Sequence, residues 1–198
     1  MQGLFASIDH SPIASVITDA RLADNPIVAV NRAFCALTGY GEGEILGRNC
    51  RFLAGPETEP VAQAILRRAV AEGRPALVEL TNHRNDGSAF LNAVMVAPVL
   101  GEDGEPAYFL GSQMDVGAGS GLSAPRRQRA EALVRSITPR QLQVLEHMIA
   151  GYRNKQIAGF LAIDEKTVKM HRASLLARIG VASSAEAIRI GVEAGLRP

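Results

Sequence analysis

Three sets of side chains in the first part of this sequence have types and spacings that could do chemistry. Cys50 sits in Gly47-Arg-Asn-Cys-Arg-Phe-Leu53. A lone cysteine usually behaves as a small buried hydrophobe; at the edge of a cavity the same sulfur is a nucleophile. Asn82, Asn92 and Gln113 lie in runs that alternate along a strand, where every second residue shares a face. Leu80 therefore goes with Asn82, Asn92 with Val94 and Val96, and Phe109 with Gly111 and Gln113. If these faces point inward, three carboxamides stand among aliphatic side chains, and each unsatisfied buried amide costs about 1–3 kcal/mol. They either bond one another or address the polar edge of a bound ring. Arg51 and Arg67, sixteen residues apart, carry forked planar donors suited to phosphate. Either alone would pass for a solvated charge, as Arg68 and Arg74 do. Cys35, within the apolar stretch Phe34–Leu37, reads as core.

A second kind of chemistry is written into residues 165–179. At 100° per residue, Val168, Leu175 and Ile179 form a narrow apolar stripe. The opposite face carries Lys166, Met170, Ala173 and Ala177, with Lys169 beside it. Small alanines allow close approach to base edges, and the lysines can reach guanine acceptors or phosphates. Thr167 lies on a shoulder and could do either. Arg172 falls nearer the stripe, which suits a phosphate contact or an internal ion pair. Lys155, at the start of the preceding helix, is placed for phosphate. His147 and His171 have no partners at ligand spacing, so no metal site is expected.

Positioning these groups requires two kinds of element. Short β-rich runs occur at 15–19, 27–31, 76–83, 89–99 and 106–114, the last three separated by Asn85-Asp86-Gly87 and Gly101-Glu-Asp-Gly104. Asp-Gly is a strong hairpin signal. Helical segments, Val61–Glu72 among them, fall between the second and third runs. Gly117-Ala-Gly-Ser-Gly121 resists both helix and strand and predicts a hinge, followed by a short connecting helix. Beyond it everything reads as helix. Thr138-Pro-Arg-Gln141 and Ser183-Ser-Ala-Glu186 fit capping boxes, and Asn154 and Asp164 are candidate N-caps.

At 198 residues there is room for two small domains, each with its own core. Residues 1–125 hold 8 Lys+Arg against 14 Asp+Glu, whereas residues 126–198 hold 13 against 6. An acidic half joined to a basic half fits a sensor attached to a polyanion binder; the halves could also simply attract each other. With no apolar run long enough for a bilayer, no leader at Met1 and only two cysteines, a cytoplasmic protein without membrane attachment is expected.

The segment Gly47–Leu53 resembles the active-site loop of LOV domains, the flavin-binding branch of the PAS family. The resemblance extends to Thr18-Asp-Ala-Arg-Leu-Ala-Asp-Asn-Pro-Ile27, Leu37-Thr-Gly-Tyr40, Gly55-Pro-Glu-Thr58, Asn82-His-Arg-Asn-Asp-Gly87, Phe90-Leu-Asn92 and Tyr108-Phe-Leu-Gly-Ser-Gln113, in the family's order over roughly residues 9–115. It implies an α+β PAS/LOV domain with a five-stranded antiparallel sheet and a bound flavin: FMN, with FAD or riboflavin as alternatives. The residues so implied are Thr18, Asn25, Asn49, Cys50, Arg51, Arg67, Asn82, Asn92, Val94, Val96, Phe109 and Gln113. Asn82 and Asn92 would meet the pyrimidine edge of the isoalloxazine and Gln113 its O4/N5 side, while Arg51 and Arg67 would clamp the phosphate. In this family blue light drives the matching thiol, here Cys50, to add to flavin C4a, and the adduct breaks again in darkness. One departure is Ala54, where LOV domains commonly have Gln; it weakens the case for tight flavin binding, not for the photochemistry.

Residues Ile137–Leu145, Asn154–Ala158 and Glu165–Arg172 resemble the LuxR-type helix-turn-helix, an all-α four-helix domain spanning 136–198. The expected organisation is thus a sensor at 1–116, a hinge and connecting helix at 117–135, and a domain that binds double-stranded DNA at 136–198. In this family the last helix dimerises, so a homodimer is expected in the lit or DNA-bound state. Ile188, Ile190, Val192 and Leu196 give that helix more apolar surface than one face needs. In darkness it would dock on the sensor's sheet, together with the recognition helix. Length argues against a kinase output, and no acid–base pair points to an enzyme. The alternative is a flavin redox-sensing regulator without adduct chemistry.

Overall fold

The structure, a computed structural model, describes residues 8–117 and 124–196. Five strands, β1 (Ala14–Asp19), β2 (Ile27–Val30), β3 (Ala76–His83), β4 (Ala89–Leu100) and β5 (Pro106–Asp115), form one antiparallel sheet in the order β2-β1-β5-β4-β3. Between β2 and β3 lie α1 (Arg32–Thr38), α2 (Glu42–Ile45), a 3-10 turn at Cys50–Leu53 and α3 (Pro60–Ala71). The two hairpin turns fall at the Asp-Gly signals. Gly87 and Gly104 both take positive φ, 82° and 84°, as tight turns require. Asn31 fastens the entry to the sheet: its Oδ1 accepts from Ser15 N and Phe34 N, while its Nδ2 donates to the Ile8 and Ile13 carbonyls.

The rest is helical: α4 (Ala124–Ser136), α5 (Pro139–Ile149), α6 (Asn154–Leu161), α7 (Glu165–Ile179) and α8 (Ser184–Glu193). Val144, Leu145, Ile149, Ile157, Val168 and Leu175 are fully buried together, at about 1.5–3 kcal/mol for each such side chain. The Thr138–Gln141 capping box forms in both directions. Ser183 caps α8 by accepting from Glu186 N, but Glu186 returns its carboxylate to the Ser183 hydroxyl and not to the backbone, so only half of that box forms. Asp164 caps α7 as expected. Asn154 does not cap α6: it is the first helical residue, preceded by Arg153, and its side chain accepts from Arg172 instead. Of the predicted glycine hinge only Gly117 is described; residues 118–121 lie outside the described residues. The connecting helix that follows is α4.

The sheet has two occupied faces. On one, Val78, Leu80 and Val94 pack with Ala62 and Leu66 of α3. On the other, Ile17, Met95, Ala97 and Leu110 pack with Ala185, Ile188 and Val192 of α8. A second junction joins the turn after α5 to the β4–β5 hairpin: Leu100 N donates to the Gly151 carbonyl at 2.9 Å, and Gln156 Nε2 to the Gly101 carbonyl at 2.9 Å. Gly151 has φ +90°, and a Cβ there would stand 2.5 Å from the Pro98 oxygen. Only glycine serves both the turn and the close approach.

Candidate functional site

Between the inner face of the sheet and the helices that cross it lies a cavity of about 510 Å³, within the range of cofactor sites. Of the residues expected to hold a ligand, Thr18, Asn25, Asn49, Cys50, Arg51, Arg67, Asn82, Val94, Val96, Phe109 and Gln113 all line it. Asn92 does not. It is fully buried behind the other two amides, donating to Asn82 Oδ1 at 2.9 Å and to Gln113 Oε1 at 3.5 Å, while its own Oδ1 accepts from Met114 N. Both ends of the Asn92 amide are therefore bonded within the protein here, which places it one layer behind the cavity wall. Asn82 Nδ2 reaches the Leu53 carbonyl, tying β3 to the turn that begins at Cys50. Gln113 Nε2 has no protein partner among the described residues.

The Cys50 loop is held from both sides. Asn49 caps the 3-10 turn by accepting from Arg51 N at 3.1 Å, and its Nδ2 donates to the Asp24 carbonyl at 2.6 Å. Asp24 and Asn25 both adopt positive φ, 68° and 48°, a conformation that Asp and Asn tolerate better than most side chains. Cys50 lines the cavity and is half-buried, and desolvation of its thiol pushes the pKa up to about 12. At neutral pH it is S–H, not thiolate. Cys35 is half-buried and packs against the core cluster of Val16, Ile27, Phe34 and Ile45, in keeping with its reading as core.

Two polar atoms lining this cavity, Thr18 Oγ1 and Asn25 Oδ1, are buried without a hydrogen-bond partner. Each such atom costs about 1–3 kcal/mol unless a ligand or water supplies the bond. The cavity's apolar walls and unsatisfied polar atoms therefore fit a flat, mostly apolar ligand with a hydrogen-bonding edge. At the rim, Arg51 pairs with Asp24, whereas Arg67 is exposed and has no ion pair among the described residues. Arg68 and Arg74 both pair with Glu72, away from the cavity. Ala54 lines the wall, with no side-chain donor or acceptor. Leu22, Thr58, Leu66 and Val70 also line the cavity; Leu22 and Thr58 lie in segments that carry the resemblance but are not singled out by it, and Leu66 and Val70 carry no signal because they come from one side of α3.

The helical region presents a second candidate surface. Lys155, Lys166, Lys169, Met170, Ala173 and Ala177 are exposed; Lys169 forms an exposed pair with Glu165 at 2.9 Å, an interaction of small energy. Two residues of this set are engaged within the protein. Thr167 turns its hydroxyl onto Asp164 and completes the cap of α7. Arg172 donates to Asn154 Oδ1 and Ser184 Oγ, with no ion pair among the described residues, and burial pulls its pKa down. The expected docking of both the last helix and α7 on the sheet is also only half right. The structure covers α8 and leaves the Lys166–Met170 face of α7 open, because the apolar residues of α7 are spent on its own domain's core.

Among the described residues no helix is long and apolar enough to cross a membrane, and no cluster of His, Cys, Asp or Glu is placed to hold a metal.

Comparison with known proteins matches residues 14–118 to the PAS domain family and residues 135–190 to the luxR family of bacterial regulatory proteins. A blue-light-activated histidine kinase of Rhizobium johnstonii is 40% identical over 167 residues, which is 84% of this chain but 44% of the kinase. The chain thus spans less than half the length of that relative. The light-state structure of the blue-light photoreceptor Aureochrome1 LOV is 42% identical, with a TM-score of 0.53 over 60% of this chain and 89% of that one. The RsLOV d2 variant covers 98% of this chain and 92% of its own, at 31% identity and a TM-score of 0.62.

Proposed function

The chain belongs to the PAS domain family, and from that premise we propose that it is a blue-light-regulated DNA-binding transcription factor. In this reading residues 1–116 are a flavin-binding LOV photosensor, 117–135 a hinge and connecting helix, and 136–198 a DNA-binding output. The observation that carries it is Cys50 at the wall of a cavity whose lining includes the unsatisfied Thr18 and Asn25 and the free end of Gln113. FMN, when bound, supplies absorption of blue light and a photoexcited ring open to attack by a thiol. Cys50 presents the sulfur with its proton, so no separate base is needed. Asn82 and Gln113 orient the ring's polar edge, with Asn92 holding both from behind; Arg67, and Arg51 in place of its bond to Asp24, take the phosphate. The helix-turn-helix is the output, so the protein acts by binding and not as an enzyme.

Docking of α8 restrains that output. Ala185, Ile188 and Val192 lie against the sheet and cannot then serve a second copy, so the homodimer that would read paired half-sites is blocked while α7 stays exposed. Gln113 is the point of transmission: turning its amide over exchanges donor for acceptor and pulls on β5. Moving a population from 1:99 to 99:1 takes about 5.5 kcal/mol, and one hydrogen bond contributes ~1 kcal/mol. Either several contacts rearrange together or the dark equilibrium is close to balance; the second is the expected case, with some binding in darkness. The test is the visible spectrum of the purified protein before and after blue light, with DNA binding measured in both states. Reversible bleaching together with tighter binding in light supports the reading; equal binding in the two states overturns it.

A further inference from the structure

Arg189, in the middle of α8, is 1% exposed and is the bulkiest fully buried side chain among the described residues. Its Nη1 donates to Ser112 Oγ at 3.0 Å, and Nη1 and Nη2 both donate to the Ala93 carbonyl at 3.3 Å. Its Nε pairs with Glu193 at 2.8 Å. Ser112 directly precedes Gln113, and Ala93 directly follows Asn92. From the outer face, one guanidinium thus holds the two positions next to two carboxamides of the inner face, on two neighbouring strands. Glu79 stands opposite Ala93 in the β3–β4 register.

We propose that Arg189 is the positioning residue through which α8 senses the amide cluster, and that its charge keeps the docked state reversible. This rests on the reading that docking of α8 restrains the output. The surrounding packing of Ala185, Ile188 and Val192 on the sheet is apolar, and apolar packing has no directional preference. Hydrogen bonds weaken steeply as their angle closes. A small shift of β5 against β4 separates Ser112 Oγ from the Ala93 carbonyl, and one planar guanidinium cannot follow both. A guanidinium N–H stripped of its acceptor in this buried site is destabilised even with Glu193 still paired to Nε, and it regains its solvation only when α8 lifts. Apolar side chains of similar size at both 189 and 193 have neither cost, since replacing a buried ion pair by packed hydrophobes is often neutral or stabilising, whereas removing one partner alone strands the other. The sign is therefore opposite to the usual one for deleting hydrogen-bonding groups: removing the whole pair tightens docking, whereas removing only the Ser112 acceptor loosens it.

The experiment follows backbone amide exchange of α8, with the molar mass by light scattering, in the full chain in darkness and in blue light. In the double variant Arg189→Met/Glu193→Met, which removes the whole pair, α8 protection rises about tenfold in darkness and no longer changes with light, while exchange in α7 stays as in the parent. In Ser112→Ala, dark protection of α8 falls about tenfold. Arg189→Lys keeps the charge but cannot bridge both acceptors, so its light-dependent change shrinks at least threefold; it carries the test if the methionine variant does not fold. The double variant with unchanged or lower α8 protection, or Arg189→Lys with a full light response, overturns the proposal. Ala185→Glu separates this outcome from failure of the underlying reading, because it wedges α8 off the sheet without touching Arg189. If Ala185→Glu does not raise the dark mass towards a dimer, docking is not the restraint and the reading itself has failed.

Discussion

On the inner face of the sheet, Thr18, Leu80, Asn82, Val94 and Gln113 surround open space. On the outer face, Ile17, Met95, Ala97 and Leu110 are sealed beneath α8. The same strands supply both sets, by alternation alone. What differs is how the polar atoms are satisfied. The inner face leaves Thr18 Oγ1 and Asn25 Oδ1 without partners, while the outer face surrounds even an arginine with acceptors. One side is built to receive something and the other to hold something. The recognition surface of α7, by contrast, is neither covered nor closed. On the proposed reading, regulation in this arrangement would work by withholding the last helix and not the open face of α7.

The comparison breaks most completely at Cys50. Cys50→Ser should abolish the light response of the spectrum and of DNA binding while the protein stays folded and coloured. A DNA-binding change that persisted on chemical reduction would identify a redox sensor instead. Next in size, Lys166→Ala and Lys169→Ala should each weaken DNA binding about tenfold and lower the salt slope by about 1 for each phosphate no longer neutralised, as read by titration at several salt concentrations. Arg172→Met lies on the same helix and should behave differently. It strands Asn154 Oδ1 and Ser184 Oγ and lowers unfolding stability by about 1–3 kcal/mol, with the salt slope unchanged. Ala54→Gln adds one polar group at the cavity wall and should strengthen flavin binding by ~1 kcal/mol, about fivefold, as measured by fluorescence titration. The smallest effect is that of pH. The Cys50 thiol, pushed up to about 12 from the ordinary 9.0, keeps its proton across the neutral range, so the yield of bleaching should be flat between about pH 6 and 9. The unfolded chain loses that proton near 9 and the folded chain only near 12, so stability falls with rising pH across that window. Cys50→Ser should remove this part of the slope.

Much of this was legible in the sequence where local physics sets the outcome. Strand alternation placed Leu80, Asn82, Val94, Val96, Phe109 and Gln113 on one wall, and Asp-Gly marked the turn between β3 and β4. It could not show that Asn92, on the same face, would be used up by its neighbours, because that depends on the register of three strands at once. The stripe of Val168, Leu175 and Ile179 located the core side of α7 and, by subtraction, its open side. Arg172 was half legible: its angle on the helix pointed inward, but not to Asn154 and Ser184. Arg189 gave no signal at all. An arginine four residues before a glutamate on an amphipathic helix normally reads as a solvated pair, and its other partners Ala93 and Ser112 lie far away along the chain and carry no charge.

The apolar outer face described above has a consequence for the life of the opened protein. On the proposed reading, lifting α8 would bring Met95, Ala97 and Leu110 into water together with Ile188 and Val192, two bare greasy surfaces for each molecule that opens. A molecule in that condition would either shut again or find company. Memory of illumination would then depend on crowding as well as on the photochemical clock, with dilute protein forgetting quickly and concentrated protein staying awake.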